Sequence, residues 1–256
     1  MTRELVFGKR DPQTLLGPNT ADVDVTIDSD LEFKGVQLHY VIVETAAELA
    51  RASVPPSLHS TAPGLVSIHF WNVQDSPAGA FTLAMVGLVA RTNFKPRHFI
   101  VSAFASTAAA RDLLAPRCGF PVEVGDVQQR EYNDAIISSV SRDGKTILEV
   151  STHEMQIILG SAAALKIAPL LTIGRVDGEP CIIQCETSYE FSNTRRGKPK
   201  VHRFDAQALG LPLIELGMPA LSAHSVVDAS LHPLRFSLDI ARPAEEVAST
   251  RLRAAA

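Results

Sequence analysis

The chain is expected to fold as a predominantly antiparallel β protein with a few short helices. Two observations predict this. Most of its apolar residues fall in short alternating runs separated by Pro, Gly, Asp and Asn, the pattern of half-buried strands. The strand-like runs also follow one another without the regular strand-helix-strand rhythm of a doubly wound sheet, which argues for barrel-like or sandwiched sheets.

Taken in order, residues 1–20 carry Gly8, Pro12, Gly17 and Pro18 among polar residues and read as an irregular arm. Residues 22–27 alternate, with Val23, Val25 and Ile27 against Asp24 and Thr26, and predict a strand. Residues 33–43 predict a longer one, with Val36, Leu38, Tyr40 and Ile42 on one face. Residues 44–52 are rich in Ala, Glu and Leu and read as a short helix stopped by Pro55-Pro56. Strands follow over 65–73, 80–92 and 98–104. Ser106 can cap a helix through Leu114, limited by Pro116. Strands at 134–140 and 146–152 flank Arg142-Asp143-Gly144-Lys145, a hairpin signal. Further strands are expected over 155–159, 166–173, 181–191 and 231–239, with a frayed tail from Ala244. A single domain over 1–256 accommodates all of this, since 256 residues with 46% hydrophobic content fill one core.

Composition excludes several functions. A net charge of -4 offers no field for a polyanion, so nucleic acid is not an expected partner. The most basic stretch, Thr194-Arg195-Arg196-Gly197-Lys198-Pro199-Lys200, reads as a solvated loop. No apolar run reaches the ~18 residues of a spanning helix, and residues 1–5 lack a signal-peptide core. A soluble, cytoplasmic protein with no membrane partner is expected. Three cysteines (Cys118, Cys181, Cys185) do not make a disulfide framework. Cys181 and Cys185 would share one strand face as buried thiols. No phosphate loop or metal-binding spacing occurs, His153-Glu154 included, so no cofactor and no metal are expected.

The most informative motif is Gly119-Phe120-Pro121-Val122-Glu123-Val124-Gly125, preceded by Arg111-Asp112 on the expected helix. It resembles the active-site signature of the acetoacetate decarboxylase family, an Arg-Glu helix pair followed by Gly-Phe-Pro-Lys-Lys-Leu-Gly. Leu49 with Val54-Pro55-Pro56-Ser57-Leu58, Leu165-Lys166-Ile167-Ala168-Pro169 before Asp177-Gly178-Glu179-Pro180, and Leu211-Pro212-Leu213 also resemble family segments, in consistent order over residues 33–240. The resemblance implies a cone or double barrel of antiparallel strands around an apolar pocket, assembled as a homo-oligomer. In that family the first lysine forms a Schiff base with an oxo acid, and the second, a cationic neighbour, lowers the pKa of the first. Here Val122 and Glu123 stand at those positions. Valine cannot form an imine, so the resemblance implies a divergent member with different chemistry. The family's pocket carboxylates fall near His69 and Leu83.

Candidate site residues follow. Glu123, if turned into an apolar pocket, would be desolvated and raised toward useful acid-base chemistry; otherwise it is a surface ion pair beside Arg117 or Arg130. Arg111 could grip a carboxylate or polarise a carbonyl, or form a structural salt bridge. His69 could move a proton or donate to an enolate, or be an ordinary strand histidine. Trp71 shares its face with His69 and, with Leu83, Phe120 and Val122, would line the pocket. Cys118, next to the turn, has no identifiable base partner and reads as packed. Lys166 and Lys95 are the remaining alternatives for an imine. The expected function is an enzyme, a lyase or isomerase without a Schiff base. It would act on a small apolar carbonyl or oxo-acid ligand by decarboxylation, dehydration, isomerisation or cyclisation. The alternative is a non-catalytic ligand-binding member of the family.

Overall fold

Alternating apolar residues become strands that stack side by side into one sheet. The structure, a computed structural model, describes residues 7–92, 95–159 and 167–240, together with the backbone of 250–251. After a 3-10 turn at Pro12–Leu15 come β1 (Ala21–Asp22), β2 (Leu31–Thr45), α1 (Ala47–Ala52), β3 (His59–Ser60), β4 (Gly64–Val73), β5 (Phe81–Thr92) and β6 (Lys95–Ala105). Then follow α2 (Ala108–Cys118), β7 (Val122–Val124), β8 (Asp126–Glu131), β9 (Ile136–Arg142), β10 (Lys145–Ile157), β11 (Leu170–Val176) and β12 (Glu179–Cys185). The last strands are β13 (Thr187–Phe204), β14 (Leu216–Leu231), β15 (Phe236–Asp239) and β16 (Thr250–Arg251). No described helix is long and apolar enough to cross a membrane.

The 16 strands order as β16-β15-β12-β11-β6-β5-β4-β2-β14-β13-β10-β9-β8, with β1 on β11, β3 on β5 and β7 on β6. Most pairs are antiparallel; β1 with β11, β11 with β6, and β6 with β7 are parallel. This is one open mixed ladder where the resemblance implied a cone or double barrel. It is nonetheless curved. β8 begins two residues after β7, which lies against β6, and Gly125 N–H bonds the Ala105 carbonyl at 3.0 Å. The far arm therefore bends round toward β6. Each face of the central strands carries its own apolar cluster. One holds Leu38, Tyr40, Trp71, Leu83, Met85, Phe120 and Val122. The other holds Val41, Ile68, Phe70, Val86, Phe99 and Leu148. We call these the first and second faces.

Several sequence expectations change, each for a local reason. Of the first expected strand, over 22–27, only Asp22 pairs, together with Ala21 before it; Asp24 then turns the chain by accepting from the Thr26 amide at 2.9 Å. Glu44 and Thr45 end β2 instead of opening the helix. Thr107 caps α2, because Ser106 Oγ takes the Thr82 amide of β5 at 2.8 Å. Pro116 lies inside α2, which runs on to a left-handed Gly119 whose N–H bonds Ala115. The basic stretch expected as a loop is strand: it pairs with β10 through residue 200. Pro199 is tolerated there because β14 pairs with β13 only as far as Arg196, leaving its other edge free. β14 itself was not expected, since Gly217, Pro219 and many small residues mask it; pairing with both β2 and β13 makes it strand. Asp143-Gly144 forms the expected hairpin turn, both at positive φ. The expected strand over 166–173 begins at Leu170; Lys166 and the tail from Ala244, except the strand pair at 250–251, lie outside the described residues.

Candidate functional site

Strand pairing places the sequence candidates on one face. Tyr40 of β2 lies opposite His69 of β4, His69 opposite Met85 of β5, Met85 opposite Ala103 of β6, and Ala103 opposite Val122 of β7. Residues directly opposite share a face, so His69 and Val122 belong to one row of the first face. One row along, Trp71 lies opposite Leu38 and Leu83. Trp71, Leu83, Phe120 and Val122 are all buried in the same cluster.

A bulge adds a residue that the sequence did not single out. Val86 pairs with Ser102 but Gly87 pairs with Ile100, so Val101 is an extra residue on β6. Ala103 and Ala105 face the first cluster before the bulge, and Ile100 faces it after. Without the bulge, His98 would point to the second face. Gly87 permits this approach: a Cβ there would stand 1.9 Å from the Phe99 carbonyl oxygen. The single histidine of an apolar strand was visible in the sequence; its side of the sheet was not.

Tyr40, His69 and His98 meet as a fully packed trio. Ring centroids are 4.7 Å apart for Tyr40 and His69, 4.8 Å for His69 and His98, and 5.7 Å for Tyr40 and His98. Tyr40 Oη lies 3.3 Å from His98 Nε2. Both nitrogens of His69 and Nδ1 of His98 are buried with no hydrogen-bond partner. Beside them, Trp71 Nε1, Tyr189 Oη and Thr187 Oγ1 are also buried and unbonded; Thr187 stands near enough to Tyr189 to interact, but without hydrogen-bond geometry. Trp71 packs edge-on to Tyr189 at 6.0 Å. Buried polar atoms are normally paired, and each orphan costs about 1–3 kcal/mol. Their concentration around Tyr40, His69 and His98 makes this face the candidate site.

Burial also fixes the charge of the trio. Desolvation, with His98 as neighbour, pushes His69 well below the ordinary histidine range. Desolvation takes His98 down to about 4, and it raises the Tyr40 and Tyr189 phenols. At neutral pH both imidazoles are neutral and both phenols keep their protons.

The other candidates lie elsewhere. Of the two expectations for Glu123, the inward catalytic one is corrected, and the structure matches the ion pair, with Arg142 in place of Arg117 or Arg130. It lies opposite Phe104, on the reverse side of β7 from Val122, and pairs with Arg142 at 3.4 Å with a third of its side chain exposed. Neighbouring residues in a strand cannot share a face, so Val122 inward means Glu123 outward. Arg111 is exposed on α2 and pairs with its neighbour Asp112 at 2.8 Å, joining neither the trio nor another strand. Cys118 and Cys185 are buried against each other, which with desolvation raises the Cys118 thiol well above its usual value and leaves it a poor nucleophile. His153 and His202 both bond Ser151 Oγ, at 2.6 and 2.7 Å. Every described lysine, Lys95 included, is exposed; Lys166 lies outside the described residues.

Comparisons with known proteins agree with this architecture. The sequence profile of the family described as acetoacetate decarboxylase (ADC) matches residues 19–195. The structure is similar to the acetoacetate decarboxylase of Legionella pneumophila subsp. pneumophila str. Philadelphia 1, with TM-score 0.69 at 16% identity over 81% of this chain and 86% of that one. It is similar to the enduracididine biosynthesis enzyme MppR complexed with pyruvate, with TM-score 0.66 at 16% identity, covering 82% and 90%. A third likeness is to an acetoacetate decarboxylase-like enzyme from Sphingomonas wittichii RW1, with TM-score 0.64 at 11% identity, covering 82% and 94%. No curated protein sequence matches the chain.

Proposed function

Because the chain belongs to the acetoacetate decarboxylase family, we propose that it is a small-molecule enzyme acting on a carbonyl compound by acid-base chemistry without a Schiff base. The observation that carries this reading is His69: fully buried, unbonded at both ring nitrogens, touching Tyr40 and His98, and in the same row as Val122. The family's imine position is aliphatic, while two neutral imidazoles and a phenol stand on the same face. MppR, a protein of similar fold, is complexed with pyruvate, a small carbonyl compound, which supports the substrate class.

The chemistry follows from the protonation states. A neutral imidazole offers one N–H and one lone pair. His69 can thus accept a proton from carbon beside a carbonyl, or donate to the oxygen where enolate charge develops. A carbonyl oxygen bound against it accepts from its N–H, which otherwise has no partner. The contact between Tyr40 and His98 can be made in two senses. With His98 donating, the Tyr40 hydroxyl hydrogen is free for the substrate oxygen; with Tyr40 donating, His98 Nδ1–H is the free donor. Exchange between the two moves a proton along the pair. The buried imidazolium formed at His69 is unfavourable alone, and the adjacent enolate offsets it. Compounds with acidic α-protons, such as 1,3-dicarbonyls, match so weak a base.

The test is α-proton exchange in D2O, followed by NMR over a panel of ketones, 1,3-dicarbonyls and oxo acids. Exchange above the buffer rate is expected, lost at least ~100-fold in His69→Phe and retained in Lys166→Met. Borohydride should trap no adduct. Exchange that survives His69→Phe overturns the reading, and a trapped lysine overturns its amine-free chemistry. Thermal stabilisation by a panel compound with no exchange would instead identify a ligand-binding protein.

A further inference from the structure

We infer that the site selects an uncharged carbonyl compound with an apolar body and discriminates against the anionic oxo acids. This rests on the reading of the Tyr40, His69 and His98 face as the substrate site. Among the described residues, no Asp, Glu, Lys or Arg is buried anywhere in the protein. The unbonded polar atoms of the first face belong to imidazoles, an indole, a phenol and hydroxyls, groups that carry no net charge at neutral pH. Of the cations on the same strands, Lys34 pairs with Asp228 at 3.2 Å, Arg97 bonds Gln184 at 3.0 Å, and Arg91 and Lys95 are exposed. Arg97 precedes His98 and so points to the opposite face.

A carboxylate entering such a face would shed its water and meet no cation, and an isolated buried anion is strongly disfavoured. A neutral carbonyl faces no such penalty. Its oxygen accepts from an N–H or O–H that is otherwise orphaned, and its carbon body packs against Leu83, Met85 and Val122. Two hydrogen-bonding stations are available. His69 and Trp71 lie two residues apart on β4, roughly 7 Å along a strand. The site therefore suits a compound with a second polar function remote from the reacting carbonyl, received by Trp71 and Tyr189.

The test compares benzoylacetamide with benzoylacetate, a pair nearly equal in size that differs in charge, by calorimetric titration of the full-length protein at pH 7.5. The amide is expected to bind at least ten times more tightly. Equal binding, tighter binding of the acid, or no binding of either compound overturns the inference. If the acid wins and Lys166→Met abolishes its binding, that lysine is the missing cation. Preferential binding of the amide without α-proton exchange leaves this inference standing and removes the catalytic reading, so the two fail separately.

Discussion

His39 and Tyr40 are neighbours on β2 and face opposite sides of the sheet, and each belongs to a buried polar group of different character. On the second face, His39 Nδ1 bonds Ser138 Oγ at 2.8 Å and Nε2 bonds Thr152 Oγ1 at 2.7 Å, and Thr152 in turn bonds Ser222. On the first face, His69 bonds nothing and His98 uses one nitrogen. Desolvation acts alike on both sides, taking His39 down to about 3 and His98 to about 4. A depressed pKa therefore does not separate a functional histidine from a structural one. The hydrogen-bond inventory differs, because His39 spends its capacity inside the protein while both ring nitrogens of His69 have no partner there, which is what the proposed role requires.

The largest expected effect breaks this contrast at its active end. His69→Phe should lower α-proton exchange at least ~100-fold while leaving the melting temperature unchanged or higher, since it removes two orphaned nitrogens. A large loss of stability would show that His69 is structural. His39→Leu should do the reverse, costing about 2–4 kcal/mol by orphaning Ser138 and disturbing the network, measured by urea unfolding. Gly87→Ala should cost a similar amount, about 3 kcal/mol, because its Cβ meets the backbone of β6; exchange should fall with it as His98 is displaced. Full activity in Gly87→Ala would remove His98 from the site.

Acid should weaken both faces together. A histidine kept neutral in the fold but titrating at ~6.5 when unfolded binds more protons unfolded, so stability falls as pH drops below that value. For His98 the loss continues to about pH 4 and for His39 to about pH 3, at about 1.4 kcal/mol per pH unit for each. Urea midpoints measured between pH 7 and 4.5 should decline, and the slope should be shallower in His39→Leu and in His69→Phe. The smallest effect is expected from Glu123→Gln. Its pair with Arg142 is partly exposed and is worth at most about 1 kcal/mol, and exchange should be unchanged. A 100-fold loss there would return proton transfer to the turn.

Much of this site was legible in the chain. Alternation over 33–43 put Tyr40 with Leu38 and Ile42, alternation in β4 put Trp71 with His69, and Val122 alone excluded an imine at that position. The same rule also applies to Val122 and Glu123: consecutive strand residues point apart, so both could not enter one pocket. His98 was not legible, because reading its side requires knowing that Val101 is bulged. That bulge is a property of two paired strands and not of either alone. β14 was hidden for a related reason, its small and polar residues becoming strand through partners on both edges.

The sequence by itself determined the β-rich class, the family, the hairpin at Asp143-Gly144, and the presence of Val122 and Glu123 in the turn that resembles the family signature. These are local facts, set by side-chain period, turn chemistry and residue identity. Tertiary structure alone decided which histidine is satisfied and which is not. Hydrogen-bond partners come from strands far away in the chain, 113 residues apart for His39 and Thr152, and no local pattern records whether a buried nitrogen finds one.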